Sequence, residues 1–298
     1  MEIFDAWPAP VTDHLRDVYG VPVAVEQPGG MSGASVHRVR FAMGSVIVKA
    51  SVSPRESLFY RHAGERLERG GVFAPHLLWS GDGDGLHWLV LEDIPTPAPS
   101  PPSDRWFPNP DMVAMIARLH TLALDLPAAL STYKPWDWTV EVTESALSFF
   151  PASVARTLAS PLRSLRDEAQ HLGVAWCWIS GDPNPSNWGM RDDGSLVLYD
   201  WELVRRGAPP TDVAILVAGL GDEAKYDEIA ACYLTAWRAM TDAPPWSPSA
   251  LSRDIALAKV WSVATLLRAC MTGKANVPQR VRDHLSEFVP PWVRSLAH

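Results

Sequence analysis

The stretch WISGDPNPSNWGM, residues 178–190, places an acid, Asp182, five residues before an amide, Asn187, with Pro183 and Pro185 stiffening the loop between them. A third oxygen-bearing side chain, Asp200, ends SLVLYD thirteen residues beyond Asn187. Asp182 and Asp200 each follow an apolar run with strand character, and the loops at strand ends are where side chains meet ligands. Pairing of VAWCWI with SLVLYD as one hairpin would bring the three side chains to a single mouth. Two carboxylates and an amide oxygen there suit a hard cation such as magnesium. An Asx turn accounts for Asp182 and Asn187 taken alone, but it leaves Asp200 unexplained.

Phosphoryl transfer uses such a cation together with a lysine that holds phosphate oxygens and an acid that orients the attacking hydroxyl. Lys49 ends SVIVK, where strand alternation turns it away from the side that Val48 faces. A lysine in such a strand needs a partner. Glu56 in the following segment, in its ESLFY context, is preferred to Glu65 and Glu68 further along. Upstream, GGMSGASV sets Gly29, Gly30 and Gly33 between two extended segments, and the N–H groups of such a turn can lie over phosphates. Taken singly, the lysine reads as a solvated strand residue and the glycines as hairpin punctuation. A metal-dependent hydrolase is the weaker reading, because no histidine cluster accompanies the acids.

Several elements must position these groups. SVHRVRF and SVIVKAS join at Ala42-Met43-Gly44, a hairpin by pattern, and PHLLWS and LHWLVLEDI flank a second turn at residues 81–85. Between the hairpins, SPRESLFYRHAGERLERGG predicts a helix with Ser53 as N-cap, Pro54 at the first position and Gly70-Gly71 at its end. The five prolines from Pro95 to Pro102 favour extended geometry and read as a linker. Helical periodicity follows: Asn109 caps, Pro110 starts, and Met112, Met115, Ile116 and Leu119 share one face. Further helices are expected at about 141–150, 153–171, 222–240 and 250–271. The expected organisation is a nucleotide-binding lobe over 1–93, a hinge and Pro-rich linker over 94–108, and a catalytic, acceptor-binding lobe over 109–298.

Composition narrows the function classes. The chain has 298 residues, 47% of them hydrophobic, and a formal charge of -8, which argues against a nucleic-acid partner. No apolar run approaches the length of a membrane span, and MEIFDAWPAP lacks the features of a signal peptide. Cys177, Cys232 and Cys270 match no metal spacing and fit a reducing, cytoplasmic setting.

SGDPNPSN followed by LYDWE resembles the motif pair of aminoglycoside phosphotransferases and choline-kinase-like small-molecule kinases, and the Asp-to-Asn spacing is that of protein-kinase catalytic loops. GMSGASVHRV resembles the phosphate loop of aminoglycoside kinases. RESLFYR resembles their first-lobe helix, and ARLHTL and PPTDVAIL their second-lobe helices. The resemblance spans roughly residues 20–220. It implies an α+β, bilobal, protein-kinase-like fold: an antiparallel sheet with one main helix, then a larger mainly helical lobe. It implies ATP, or another nucleoside triphosphate, and Mg2+ as cofactors, with a small-molecule hydroxyl as acceptor. By the same resemblance, Asp182 would take or orient the acceptor proton, while Asn187 and Asp200 would bind magnesium, with Glu202 assisting. Lys49 would hold the α- and β-phosphates and pair with Glu56, and Gly30, Ser32, Gly33 and Ser35 would cover them. Adenine would dock on backbone groups from Glu92 to Ile94.

One departure stands out. Where that family carries histidine before Gly181-Asp182, this chain has Ser180, which makes a single side-chain hydrogen bond and fills less space. The substitution puts the rigidity of the loop in question and supports a non-catalytic, nucleotide-sensing module as the alternative function. His120 reads as a packed or hydrogen-bonded helix residue rather than a catalyst. Aminoglycosides are polycations and call for clustered acids in the acceptor region, yet Asp254, Asp283 and Glu287 are scattered. The tryptophans, including Trp106, Trp136 and Trp138 in loop-like sequence, point as readily to a sugar, amino alcohol or natural-product hydroxyl.

Overall fold

Alternation along SVIVKAS decides where Lys49 goes. In the computed structural model, which describes residues 2–27, 35–98, 109–131, 137–241, 244–275 and 277–297, this segment is β3 of a five-stranded antiparallel sheet. The sheet comprises β1 (Ala24–Glu26), β2 (Ser35–Phe41), β3 (Gly44–Ser51), β4 (Leu77–Gly83) and β5 (Leu86–Glu92), in the order β1-β2-β3-β5-β4. Val46, Val48 and Ala50 of β3 join Val39, Phe41, Trp88 and Val90 in one buried cluster, closed by Phe4, Val11 and Leu15. Val11 and Leu15 belong to a helix, Ala9–Tyr19, that comes in addition to the main helix expected for this part of the chain. Lys49, with Val36 and Leu89 as its cross-strand partners, takes the alternate face. The second hairpin turns on Asp84 and Gly85, both at positive φ (54° and 74°), the backbone of a type I′ turn.

The chain clusters into two compact units. The first combines Met1–Ala98 with Leu124–Ser131 and Asn187–Val204; the second combines Pro99–Ala123, Thr132–Ser186 and Arg205–His298. Within the first unit the predicted helix is Arg55–Arg69. Pro54 is its N-cap residue and Ser53 lies one position further out, correcting the expected cap by one step. Glu56, Phe59, Tyr60, Ala63 and Leu67 form its buried stripe, joined by Ser57, so an acid occupies a mainly apolar face. Phe59 stacks on Trp201 with ring centroids 4.4 Å apart, and both side chains are fully buried.

The expected pairing of VAWCWI with SLVLYD does not occur. Cys177–Ile179 pairs instead with Arg205–Gly207, in the second unit, while Leu196–Leu198 pairs with Trp188–Met190 in the first. The reason is local: Asp192-Asp193-Gly194, with Gly194 at φ 85°, closes a tight turn between Arg191 and Ser195. A short loop costs less entropy to close than the path back to Ile179. Thr96–Pro97 adds a third strand to this small sheet.

The second unit is helical. Asn109 caps Pro110–Thr121 as expected, its side chain accepting from the Asp111 N–H. Pro248–Met271 is buried along much of its circumference and packs against Glu223–Arg238, Pro209–Leu216 and Val140–Leu147. Trp138 is buried, whereas Trp106 and Trp136 lie outside the described residues. No helix among the described residues is long and apolar enough to cross a membrane.

The Phe59–Trp201 stack joins the helix bearing Glu56 to the segment after Asp200. Replacing Phe59→Ala is expected to cost about 3–5 kcal/mol, read as a lower urea midpoint for the fluorescence-detected unfolding of the protein. A loss under about 1 kcal/mol, the scale of a surface change, would show that the stack does not hold these elements together.

Candidate active site

Lys49 carries the first unit's polar centre. Its ammonium lies 2.6 Å from Glu56 Oε2 and 2.8 Å from Asp200 Oδ1, with the Lys49 and Glu56 side chains almost wholly buried. Burial alone would lower the lysine's pKa, but the two carboxylates outweigh it and hold the ammonium above the ordinary lysine value. Glu56 also accepts the Trp201 N–H, at 3.3 Å. A lysine has three N–H donors, so the two carboxylates leave one for a further acceptor.

Asp200 has φ 65°, a left-handed conformation that side chains seldom adopt. Strain of this kind persists where surrounding contacts over-determine it, and it concentrates at functional positions. Here the contacts are the Lys49 bridge on the residue itself and the Glu56 bond to the next residue's N–H. Leu198 before it is tied to the Phe73 carbonyl by a 2.9 Å backbone bond.

Glu56, Asp200 and Glu202 each bring a carboxylate oxygen within 4.8 Å of the others. Burial, then the charge of Asp200, pushes the Glu202 carboxyl above its ordinary pKa. Three carboxylates around one ammonium leave surplus negative charge and hard oxygen donors, so the residues fit a magnesium ion. Asn187, expected as a metal ligand, sits at the root of the same hairpin, where its carbonyl accepts the Tyr199 N–H at 3.0 Å.

Of the expected phosphate loop, Gly30, Ser32 and Gly33 lie outside the described residues. Ser35 begins β2, its hydroxyl 2.8 Å from His37 Nε2. At the end of β5, the Glu92 side chain is held by Arg191, and the chain runs on through Ile94 outside any strand. Arg55, a residue that sequence reasoning passed over, donates to the Glu202, Ala129 and Val204 carbonyls and so fixes the chain just beyond Asp200.

In the second unit, Asp182 is partly buried on the loop after Cys177–Ile179. The loop's root is held by a residue that sequence reasoning also missed, Asp212. Its fully buried carboxylate accepts the Ser180 N–H at 2.7 Å, the Ser180 hydroxyl at 3.0 Å and the Gly181 N–H at 2.9 Å. His120 Nε2 adds a fourth contact at 3.3 Å, and the Tyr233 hydroxyl lies 2.7 Å from its Nδ1. With Nε2–H donating to Asp212, Nδ1 accepts from Tyr233 and every donor in the chain has an acceptor. Gly181, at φ 86°, needs glycine's freedom to aim its N–H at the carboxylate. Burial would raise the Asp212 pKa, but the hydrogen bonds from His120, Gly181 and Ser180 overcome it and lower it. The available signal was a single acid inside PPTDVAIL, an almost wholly buried helix. An acid in such a place must have partners.

Because the folded-state pKa of Asp212 is depressed, its contribution is complete above its unfolded value and is lost as pH falls through the folded one. Asp212→Ala strands the Ser180, Gly181 and His120 donors and should cost about 3 kcal/mol or more, whereas Ser180→Ala should cost about 1.5 kcal/mol. Urea unfolding followed from neutral to acid pH measures both. Asp212→Asn should flatten the acid limb, and an acid limb identical to that of the parent protein would remove Asp212 from this role.

Sequence and structure comparisons bear on what this arrangement is for. A sequence search of curated proteins finds no match. Among solved structures, the choline kinase LicA from Streptococcus pneumoniae is 19% identical, with a TM-score of 0.62 over 96% of this chain and 98% of that one. Spectinomycin phosphotransferase APH(9)-Ia, solved with ADP and spectinomycin, is 11% identical, with a TM-score of 0.63 over 97% and 96% of the two chains. A microcompartment-associated aminopropanol kinase is 13% identical, with a TM-score of 0.62 over 97% and 95%. These likenesses establish the expected α+β, bilobal, kinase-like fold. The family model for the phosphotransferase enzyme family matches residues 28–247, and with that match the chain belongs to the phosphotransferase enzyme family.

Proposed function

We propose that this phosphotransferase moves the γ-phosphoryl group of ATP, or another nucleoside triphosphate, to a hydroxyl of a small molecule, with magnesium as cofactor. The supporting observation is the buried bridge from Lys49 to both Glu56 and Asp200. A lysine so held stays charged and leaves one N–H for a phosphate oxygen. Glu56 orients it from the helix, and Asp200 presents its carboxylate toward a cation.

In this reading Asp182 accepts or orients the proton of the acceptor hydroxyl. The acceptor oxygen forms a bond to the γ-phosphorus as the bond from that phosphorus to the β-bridging oxygen breaks, and the nucleoside diphosphate leaves. Lys49 neutralises charge on the α- and β-phosphates, which the expected phosphate loop, most of it outside the described residues, would cover. Backbone groups from Glu92 to Ile94 dock the base. Asp200 and Asn187, supported by Glu202, would hold magnesium, which when bound draws phosphate charge and aligns the reacting oxygens. Catalysis is then mostly positioning and charge neutralisation.

Ser180, the main motive for a non-catalytic reading, keeps its loop anchored through two bonds to Asp212, so the substitution does not release the loop. For the acceptor we favour a neutral or singly charged hydroxyl compound, such as a sugar or an amino alcohol. The choline and aminopropanol kinases of similar fold, and the scatter of acids along the final helices, support that preference. Cys177, Cys232 and Cys270 are free thiols, which suits a cytoplasmic enzyme.

Magnesium-dependent nucleotide consumption across a panel of amino alcohols, sugars and aminoglycosides tests this. Turnover is expected with at least one acceptor, falling by about 10²–10⁴-fold in Asp182→Asn, with ADP affinity nearly unchanged. Thermal stabilisation by nucleotide with no turnover on any acceptor would favour the sensing module. Native rates in Asp182→Asn would remove that residue from the mechanism.

A further inference from the structure

The strand that ends at Glu92 continues into the backbone assigned above to the nucleotide base, and three contacts fasten this segment to the hairpin formed by Trp188–Met190 and Leu196–Leu198. The first is an ion pair. Arg191 grips Glu92 with both arms of its guanidinium, Nε to Oε1 at 2.8 Å and Nη2 to Oε2 at 2.7 Å. Both side chains are largely shielded, at 15% and 23% exposed. The same guanidinium donates to the Ala74 carbonyl at 3.1 Å, and Glu92 also accepts the His76 N–H at 3.0 Å. A rigid fork matched to a carboxylate fixes direction as well as distance.

The second contact is steric. A Cβ at Gly189 would lie 2.5 Å from Ile94 Cγ2 and 3.2 Å from the Thr96 carbonyl oxygen. Gly189 is not among the residues at positive φ, so proximity alone requires the glycine there. The third contact is the short ladder from Thr96–Pro97 to Gly189–Met190, extended by the Ala98 N–H to the Trp188 carbonyl at 3.1 Å. On its other side the segment is tied to the main sheet. Asp93 receives both arms of Arg38, at 2.8 and 3.0 Å, and the Ser45 hydroxyl at 2.6 Å. Consecutive side chains, Glu92 and Asp93, therefore pin the segment to the hairpin and to the sheet.

We infer that Arg191 and Gly189 are positioning residues for the nucleotide base, holding the Glu92–Ile94 backbone against the hairpin that leads into Asp200. Base docking and phosphate binding then share one preformed frame, and no ordering of this segment is charged against binding. The inference rests on the nucleotide reading given above. It adds that affinity for the base depends on residues that do not themselves touch the nucleotide.

Calorimetric titration with ADP and with inorganic tripolyphosphate separates the base contribution from the phosphate contribution. Arg191→Ala and Gly189→Ala should each weaken ADP about tenfold while changing tripolyphosphate by less than about twofold, and Arg191→Lys should fall between Arg191→Ala and the parent protein. Parallel weakening of both ligands with a lowered Tm would reduce the two residues to structural supports and overturn the inference. So would unchanged ADP affinity in both variants, or a parent protein that binds ADP no better than tripolyphosphate. If Arg191→Ala fails to fold, Gly189→Ala carries the test by itself. A parent protein that binds neither ligand overturns the nucleotide reading itself, an outcome distinct from parent binding that the variants leave intact.

Discussion

One buried ammonium organises the first unit. Lys49 comes from the sheet, Glu56 from the helix that follows it and Asp200 from a segment 151 residues further along the chain. Removing either acid would leave a lysine buried without adequate compensation, and removing the lysine would leave two acids close together. A buried charge missing its partner costs several kcal/mol, so the three residues stand or fall together. On the function proposed above, the arrangement also suits chemistry on phosphates, because it keeps a positive charge and a surplus of carboxylate oxygens in fixed positions.

The neighbouring contacts read as supports for that centre. The Phe59–Trp201 stack seats the helix against the residue after Asp200, and Arg55 ties down the carbonyls beyond it. Together they hold Asp200 at a backbone angle it would not adopt unaided. Across the same unit, Arg191 and Arg38 pin the end of β5 by ion pairs to the hairpin and the sheet. Such forks contribute little at a wet surface, but these are largely shielded and bidentate, and they fix geometry as much as they add stability.

The second unit uses a different device for the same end. A carboxylate at the first turn of a helix, where the dipole favours negative charge, collects the N–H groups of Ser180 and Gly181 and the Ser180 hydroxyl. His120 and Tyr233 complete its shell. The serine at the position where the resemblance expects a larger histidine keeps the loop anchored, because the anchoring groups are chiefly backbone N–H donors, which serine and histidine share. The root of the loop is thereby fixed one residue before Asp182.

Much of this was legible in the residues themselves. Alternation in SVIVKAS gave the face of Lys49, the ESLFY context favoured Glu56 over Glu65 and Glu68, and the Asp182, Asn187 and Asp200 spacings pointed to phosphoryl chemistry. Period and spacing carry that information because a strand or helix converts sequence distance into direction. What the sequence could not decide was which strands pair and which buried acid meets which donor. SLVLYD takes a nearer hairpin partner than expected because the tight turn at Asp192-Asp193-Gly194 competes with a longer path, a contest settled by closure entropy. Asp212, Arg191 and Gly189 escaped notice because their partners lie between 31 and 117 residues away. Local chemistry chose the proposed reacting groups; only tertiary packing, which brings distant donors and acceptors to hydrogen-bond range, chose what holds them still.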